Sequence, residues 1–419
     1  MARDETLEWG SRRGRAPAKP PLAQRLFAYG GFDFPFMLIV TVLTCVGLVM
    51  MFSASYVNAL KLEGDAYYYI KRQGVFALAG IVVMLSVSKV NLNVLRKLAI
   101  PLLGVSFALL GVVLFYHTNL GNFRRYMPIP GTGFSFQPSE VAKMSLILFF
   151  AYAMEKFQKP GYAISREAGL VSGRGTKLRR FLLRWWTTGL YMAVLLAMVA
   201  LIAAENHISG MIITAAIGAL MIFIGEQRIP LWAYVVAVAA AALLVLYVIK
   251  HPDVLPEHAA ARIISAKDPM ADLQGDGWQT YQSLLAVGSG GWFGQGWGNF
   301  IQKHLYLPEP QNDFVFAIVC EELGFVGAFL ILLLFIVLVW RGFMIALHTK
   351  EKFGCLLVIG IVLQVGLQVA LNIGVVTAVL PNTGIPLPFF SYGGTALLML
   401  MAEMGIVLAV SRVSREIKR

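Results

Sequence analysis

Cysteine, charge and any secretory leader are scarce or missing here, and each scarcity removes a class of function. Cys45, Cys320 and Cys355 are the only cysteines in 419 residues, and all fall within or beside apolar runs. They have neither the pairing expected of a disulfide framework nor the spacing of a zinc site. Charged residues make up 14% of the chain against 58% hydrophobic ones. With a mean hydropathy of +0.69, this exceeds what a soluble core can use, so the class is polytopic membrane protein. Residues 1–32 lack an apolar h-region and carry Arg12-Arg13-Gly14-Arg15, Pro17 and Pro20-Pro21. They read as a cytoplasmic arm and not as a cleaved signal peptide. Acidic residues number 23 against 35 Lys and Arg, a net charge of +12. The basic residues cluster between apolar runs, which is the pattern of cytoplasmic loops on anionic lipid and argues against nucleic acid.

What the chain has is apolar length. A hydrocarbon core about 30 Å thick takes roughly twenty helical residues. Such runs fall at 34–54, 73–90, 97–117, 138–155, 184–204, 209–226, 230–250, 314–340, 354–380 and 391–411. The expected fold is an all-α polytopic membrane protein of about ten transmembrane helices. It has a cytoplasmic arm (1–32), one membrane domain (33–411) and a cytoplasmic tail (412–419). Lys89, Arg96, Lys97, the basic loop from Lys156 to Arg184, Arg228, Lys350, Lys352 and the tail from Arg412 mark the cytoplasmic side. The opposite side then takes 55–72, 118–137, the turn at Glu205–His207, a long polar segment at 251–313 between spans seven and eight, and 381–390.

These outward segments hold the candidate site. Pro138 suits the first turn of a helix and Glu140 its positive end. Lys143 lies one turn deeper on the same face, inside an apolar run, where an ionisable group is costly and reads as functional. With Arg124 and Arg125 it would form a cationic pocket suited to phosphate or pyrophosphate. Glu205-Asn206-His207 reads as a polar turn with a hydrogen-bonded histidine. In the long segment, His251, Glu257 and His258 match no established metal site. Asp268, Asp272 and Asp276 remain alternatives on local spacing. After them Trp278, Tyr281, Leu284, Leu285 and Val287 recur at helical spacing, predicting a short amphipathic helix in the interface. Its N-terminus would favour an anion. The glycines Gly288, Gly290, Gly291, Gly294 and Gly296 predict a turn, and without a strand they are weak grounds for a nucleotide site. Glu321 and Glu322 sit at membrane depth, either lining a hydrated cavity or pairing with the Lys143 cluster. Pro381 to Gly394 predicts a broken loop that must be buried or line a cavity.

Four fragments in this order resemble the SEDS family, the membrane proteins of bacterial shape, elongation, division and sporulation. They are Arg124-Arg125-Tyr126 with Phe136-Gln137-Pro138-Ser139-Glu140 and Lys143; Gly277-Trp278-Gln279 with Gln282-Ser283 and Gly288-Ser289-Gly290-Gly291; Leu307-Pro308-Glu309 with Asp313-Phe314 and Glu321-Glu322-Leu323-Gly324; and Thr383-Gly384 with Pro386-Leu387-Pro388-Phe389 and Ser391-Tyr392-Gly393-Gly394. The resemblance covers nearly the whole chain from the first span onward. It is closer to the division and sporulation members than to the elongation member. It implies peptidoglycan glycosyltransfer: polymerisation of lipid II into a glycan strand at the outer face of the cytoplasmic membrane. The implied partners are a class B penicillin-binding protein, which is a transpeptidase, and other divisome membrane proteins.

Matched residue by residue, the family's catalytic aspartate falls on Asp272. The same match implies substrate contacts from Arg124, Arg125, Glu140, Lys143, Gln279, Gln282, Glu309, Asp313, Glu321 and Ser391. Leu273 stands where the family usually has proline, Trp278 where it has tyrosine, and Asn206 where it commonly has proline. No cofactor is required by this reading, and a divalent cation (Mg2+ or Mn2+) is left open. The competing readings are a lipid II flippase, which would need polar access from both sides, and a non-catalytic division scaffold.

Overall fold

The computed structural model of the chain describes residues 31–115, 126–129, 134–157, 177–226, 270, 277–299 and 306–416. These residues form ten helices and one small hairpin: α1 (Phe34–Glu63), α2 (Tyr68–Val87), α3 (Leu92–Phe115), β1 (Met127–Ile129), β2 (Phe134–Phe136), α4 (Pro138–Phe157), α5 (Lys177–Ala204), α6 (Ile208–Gly225), α7 (Gly277–Ser289), α8 (Val315–Leu347), α9 (Lys352–Val376) and α10 (Gly394–Glu416). Eight of them, all but α4 and α7, are long and apolar enough to cross a membrane. The expected fourth span coincides with α4, whose Glu140, Lys143 and Glu155 keep it from reading as a plain apolar span. The expected seventh span, 230–250, lies outside the described residues.

Each long helix buries one stripe and turns the other outward. In α1, Phe36, Val40, Leu43 and Met50 are fully buried while Phe34, Leu38 and Leu60 are exposed. Exposed leucines on a chain with this hydropathy are the surface for lipid tails. Asp33 caps α1, its Oδ1 accepting from the Phe36 N–H at 3.1 Å. The helix runs past its apolar run to Glu63 and stops at Gly64 in the left-handed conformation (φ 71°). Counting apolar residues places its end near 54, because Asn58 and Lys61 above that point are polar. Asn58 is nonetheless buried, donating to Gln311 at 3.2 Å. At the other boundary, α9 ends at Val376, short of the expected 380. Ala378 takes a positive φ (56°) and the Leu380 N–H folds back onto the Gly374 carbonyl at 2.8 Å.

α4 is the most enclosed helix, packed against α3, α5, α6, α9 and α10. Most of its side chains are buried on every side, including Ser139, Ser145 and Phe150. α8 bends at Gly324, whose φ of 66° and ψ of −168° leave the helical region. A side chain there would collide with the backbone of Gly294 and Phe293. Glycine is therefore required for the 290–298 turn to lie against the bend.

A cavity between α4, the 382–393 segment and the 306–313 loop

The irregular segment after α9 shapes one wall of a cavity of about 520 Å³. Non-helical backbone at this depth must find hydrogen bonds within the protein. Side-chain amides supply them. Asn372 Nδ2 donates to the Asp313 and Ile385 carbonyls, both at 2.7 Å. Gln73 Nε2 donates to the Ser391 carbonyl and its Oε1 accepts from the Gly393 N–H, both at 3.2 Å. Ser391 Oγ accepts from the Leu387 N–H at 2.8 Å. Gly47 on α1 makes room from behind, since a Cβ there would collide with the Phe389 carbonyl.

The rest of the lining includes Arg72 from α2, Tyr126 and Ser135 at the hairpin, Glu140 and Lys143 of α4, Asn206 to Gly210 and Ile213 at the start of α6, Gln279, the loop residues Glu309, Asn312 and Asp313, Gln364 and Gln368 of α9, and Leu397 and Leu400 of α10. Lys143 Nζ lies 2.9 Å from Glu140 Oε2, with the lysine side chain 2% exposed. The i,i+3 spacing brings the two together, and the cavity gives both a polar face. His207 sits in the expected turn beside Asn206 (φ 56°). Its ring nitrogens approach Ser139 Oγ at 3.2 Å and Gln137 Nε2 at 3.4 Å. Just before it, Glu205 is fully buried and, among the described residues, neither carboxylate oxygen has a hydrogen-bond partner. Burial pushes its carboxyl from 4.5 up to about 8.

The expected interfacial helix is present as α7, one residue into Gly277. Its small and polar face meets the protein and most of its apolar stripe does not, as befits an amphipathic helix lying in the interface. Gly277, Thr280, Gln282, Ser283 and Ala286 face the protein, and Ser283 donates to the Val376 carbonyl at 2.8 Å. Leu285 is exposed, and Trp278, Tyr281, Leu284 and Val287 are only partly buried. Small residues let α7 approach α8 and α9 closely, while the apolar stripe is turned away.

The expected site residues divide into three groups. Glu140, Lys143, Gln279, Glu309, Asp313 and Ser391 all line the cavity. Gln279 Nε2 donates to the Pro308 carbonyl at 3.2 Å and its Oε1 accepts from Asn382 at 2.8 Å, so it ties α7 to two loops. Glu309 holds a positive φ (44°) and accepts from Asn312 Nδ2 at 2.7 Å. Gln282 and Glu321 are buried and are not lining residues. Among the described residues Glu321 and Glu322 neither line this cavity nor pair with Lys143, while Arg124 and Arg125 of the expected cluster lie outside them. The backbone carbonyls of both glutamates accept from Gln295 and Gly296 of the glycine turn, at 2.9 and 3.1 Å. Glu322 also accepts from Ser53 of α1 and, at 3.3 Å, from the Gly298 N–H. Asp272, Arg124 and Arg125 lie outside the described residues, as do Asp268, Asp276, His251, Glu257 and His258. Among the described residues no three His, Cys, Asp or Glu side chains are grouped to hold a metal ion.

Several lining residues escaped the sequence reading. Arg72 was assigned to an outward connection; it stacks over the Tyr68 ring at 4.3 Å and hydrogen-bonds Tyr392. Burial raises the Tyr392 hydroxyl and that arginine opposes it. Gln364, Gln368 and Asn372 recur every four residues in an apolar run, a polar stripe that helical periodicity alone marks.

Eight helices long and apolar enough to cross a membrane, with a polar, partly charged cavity at one end of the helical body, define a multi-pass membrane protein. The chain belongs to the FtsW/RodA/SpoVE family of cell cycle proteins, whose profile matches residues 34–416. It is 36% identical to the probable peptidoglycan glycosyltransferase FtsW of Geobacter sulfurreducens over 388 residues, covering 91% of this chain and 95% of that one. Stage V sporulation protein E of Bacillus subtilis is also 36% identical, over 91% of this chain and 98% of its own. Among solved structures, a chain of a peptidoglycan synthase complex that coordinates polymerization and crosslinking matches with a TM-score of 0.70. Its identity is 26%, over 92% of this chain and 99% of that one. The rod shape determining protein RodA of Thermus thermophilus matches with a TM-score of 0.60 at 26% identity, over 91% and 97% of the two chains.

Proposed function

We propose that this chain is a peptidoglycan glycosyltransferase that polymerises lipid II for cell division, acting at the outer face of the cytoplasmic membrane beside a class B penicillin-binding protein. Family membership and the FtsW relatives support the activity. The single structural observation that favours it is the Lys143–Glu140 pair facing a polar cavity at the end of the body opposite the basic helix connections. Glycosyl transfer from a lipid pyrophosphate needs a base for the attacking hydroxyl and positive charge for the leaving group.

In this reading Asp272 takes the proton from the C4 hydroxyl of the acceptor GlcNAc. That oxygen forms a bond to the anomeric carbon of the donor MurNAc as the carbon–pyrophosphate bond breaks, inverting the centre from α to β. The proton passes from Asp272 to water, and undecaprenyl pyrophosphate leaves. Lys143, Arg124, Arg125 and the rim arginine Arg72 would hold its charge, with Gln279, Glu309, Asp313 and Ser391 contacting sugar and peptide. Any divalent cation would be held by Asp272 with residues outside the described set, and it would supply further charge stabilisation to the pyrophosphate. A lipid II flippase is less well supported, because among the described residues the polar lining ends at Gln364 and Leu400.

The test is polymerisation of lipid II by purified wild type and Asp272→Ala, each with the cognate transpeptidase, with and without chelator. Loss of a general base removes about 10²–10⁴-fold in rate, so the variant should form no measurable polymer. Equal polymer from both would overturn the assignment.

A further inference from the structure

α8 is longer than a membrane needs. Its run from Val315 to Leu347 rises about 50 Å at ~1.5 Å per residue, against a hydrocarbon core of about 30 Å. Its surface changes character at the Gly324 bend. Before the bend, Val315 to Glu322 are all buried in the protein. After it, Phe325, Phe329, Leu333, Ile336, Trp340 and Leu347 are exposed, at the spacing of one helix face. That stripe covers about 33 Å of rise, close to the thickness of the hydrocarbon core. The bend therefore marks the level at which α8 enters lipid, at the end nearer the cavity and its lining residue Asp313.

The 290–298 turn is joined to that level through its backbone. In an unbroken helix the Phe325 and Val326 N–H groups would donate to the Glu321 and Glu322 carbonyls. Here they donate to the Gly291 and Trp292 carbonyls, at 2.9 and 3.1 Å. The Glu321 and Glu322 carbonyls accept instead from the Gln295 and Gly296 N–H groups. All four groups that the bend releases are bonded to the turn, which fixes its height on α8.

What this splice holds outward is aromatic. Trp292, Phe293 and Trp297 are 69%, 82% and 60% exposed. The Trp292 ring meets Phe325 edge-on at 5.3 Å, and Phe325 stacks on Phe329 at 6.2 Å. The aromatic surface of the turn is thus continuous with the stripe of α8. Leu285 of α7, the helix that runs into the turn, is exposed as well. Large apolar patches are rarely left in water and mark a protein or membrane contact. Tryptophan, with an apolar body and an N–H donor, is enriched at the level of lipid headgroups.

We propose that the 290–298 turn is a membrane anchor, whose Trp292, Phe293 and Trp297 insert between headgroups and acyl chains of the outer leaflet. Lipid is the occupant because the rings extend an apolar stripe of bilayer length and stop at its boundary. The anchor fixes how high the cavity stands over the bilayer. The link is α7, whose Gln279 is bonded to the Pro308 carbonyl and to Asn382. The anchor does not depend on what the cavity binds.

The test uses the purified full-length chain in nanodiscs of phosphatidylethanolamine and phosphatidylglycerol, doped with diazirine lipids. One lipid carries the diazirine beside the glycerol, the other at the end of an acyl chain. After illumination, mass spectrometry locates the carbene adducts along the chain. Residues 290–298 should be labelled mainly by the glycerol-level lipid, and Leu333 and Ile336 mainly by the chain-end lipid. Trp292→Glu with Trp297→Glu should lose the label at the turn and keep it at Leu333 and Ile336, which shows that α8 still spans. A wild-type turn labelled by neither lipid, with Leu333 and Ile336 labelled, would overturn the proposal. So would loss of the turn's label on adding the cognate transpeptidase, which would make the surface a protein contact.

Discussion

The two ends of the helical body are held by different chemistry. At the basic end, charges meet charges. Arg96 of α3 reaches Glu155 of α4 at 3.0 Å and Glu351 beside α9 at 2.7 Å. Arg341 of α8 grips Asp33 through two nitrogens, at 3.0 and 2.8 Å. At the cavity end the joints are made by neutral amides (Asn58, Gln73, Gln279, Asn372 and Asn382), while Lys143, Glu140, Arg72, Glu309 and Asp313 line the cavity. Amides satisfy an irregular backbone without adding a field of their own. That leaves the potential of the cavity to be set by a few charges, Lys143 and Arg72 against Glu140, Glu309 and Asp313. The basic end fastens helices together with ion pairs; the cavity end fastens irregular segments with amides.

The comparison is tested hardest at Lys143. Lys143→Met should strand Glu140 as a buried unpaired charge and destabilise the chain by about 3–5 kcal/mol. Adding Glu140→Gln should restore the melting temperature in detergent, while lipid II polymerisation stays down by at least about a hundredfold. Recovery of both would put the pair among the structural joints of the basic end.

Glu205→Gln gives the next largest effect, and it depends on pH. Glu205 holds its proton up to about 8 in the folded chain, against 4.5 ordinarily. Below the ordinary carboxylate range, folded and unfolded chains both carry the proton and the substitution changes little. As pH rises from there to about 8 only the folded chain holds it, and wild-type stability falls by on the order of 1.4 kcal/mol per pH unit. The variant should therefore melt at a higher temperature than wild type at pH 8 and at about the same temperature near pH 4. A difference that does not vary with pH would show that Glu205 has a partner.

The smallest effect belongs to the basic end. Arg96→Gln removes two partly exposed ion pairs, to Glu155 and Glu351, and should cost about 1–2 kcal/mol in thermal unfolding, with polymerisation unchanged.

Much of the fold was legible because a bilayer demands length in apolar residues, so the runs located the helices, although α1 and α8 continue past their runs to Glu63 and Leu347. The Lys143–Glu140 pair was legible too, since three residues of helix place both on one face. Contacts that join distant segments were not. Nothing local to Glu321 or Glu322 says that their backbone carbonyls will meet the 290–298 glycine turn. What α7 packs against was hidden for a related reason: the helical spacing of Trp278, Tyr281, Leu284 and Leu285 marks the helix, and nothing in it names α8 and α9 as its neighbours. The stripe of Gln364, Gln368 and Asn372 could have been read, and so could the buried Glu403 of α10, by asking of every polar side chain in an apolar run what it costs there. Asp272 is named by resemblance alone, because three aspartates share its neighbourhood.

α4 has a consequence for how the protein reaches its membrane. It carries ionisable groups near both ends, and almost none of its surface is offered to lipid. A nascent α4 alone in the bilayer would expose Glu140 and Lys143 to hydrocarbon, at a cost of about 2.5–3.5 kcal/mol for a charged group at the helix centre. α8 and α10 carry buried carboxylates of their own, Glu321, Glu322 and Glu403, but α4 is the helix with least surface for lipid. It is sheltered first by α3, its immediate predecessor, and enclosed fully only when α9 and α10 have been made. The lining of the cavity is closed at the end of synthesis, by the part of the chain that emerges latest.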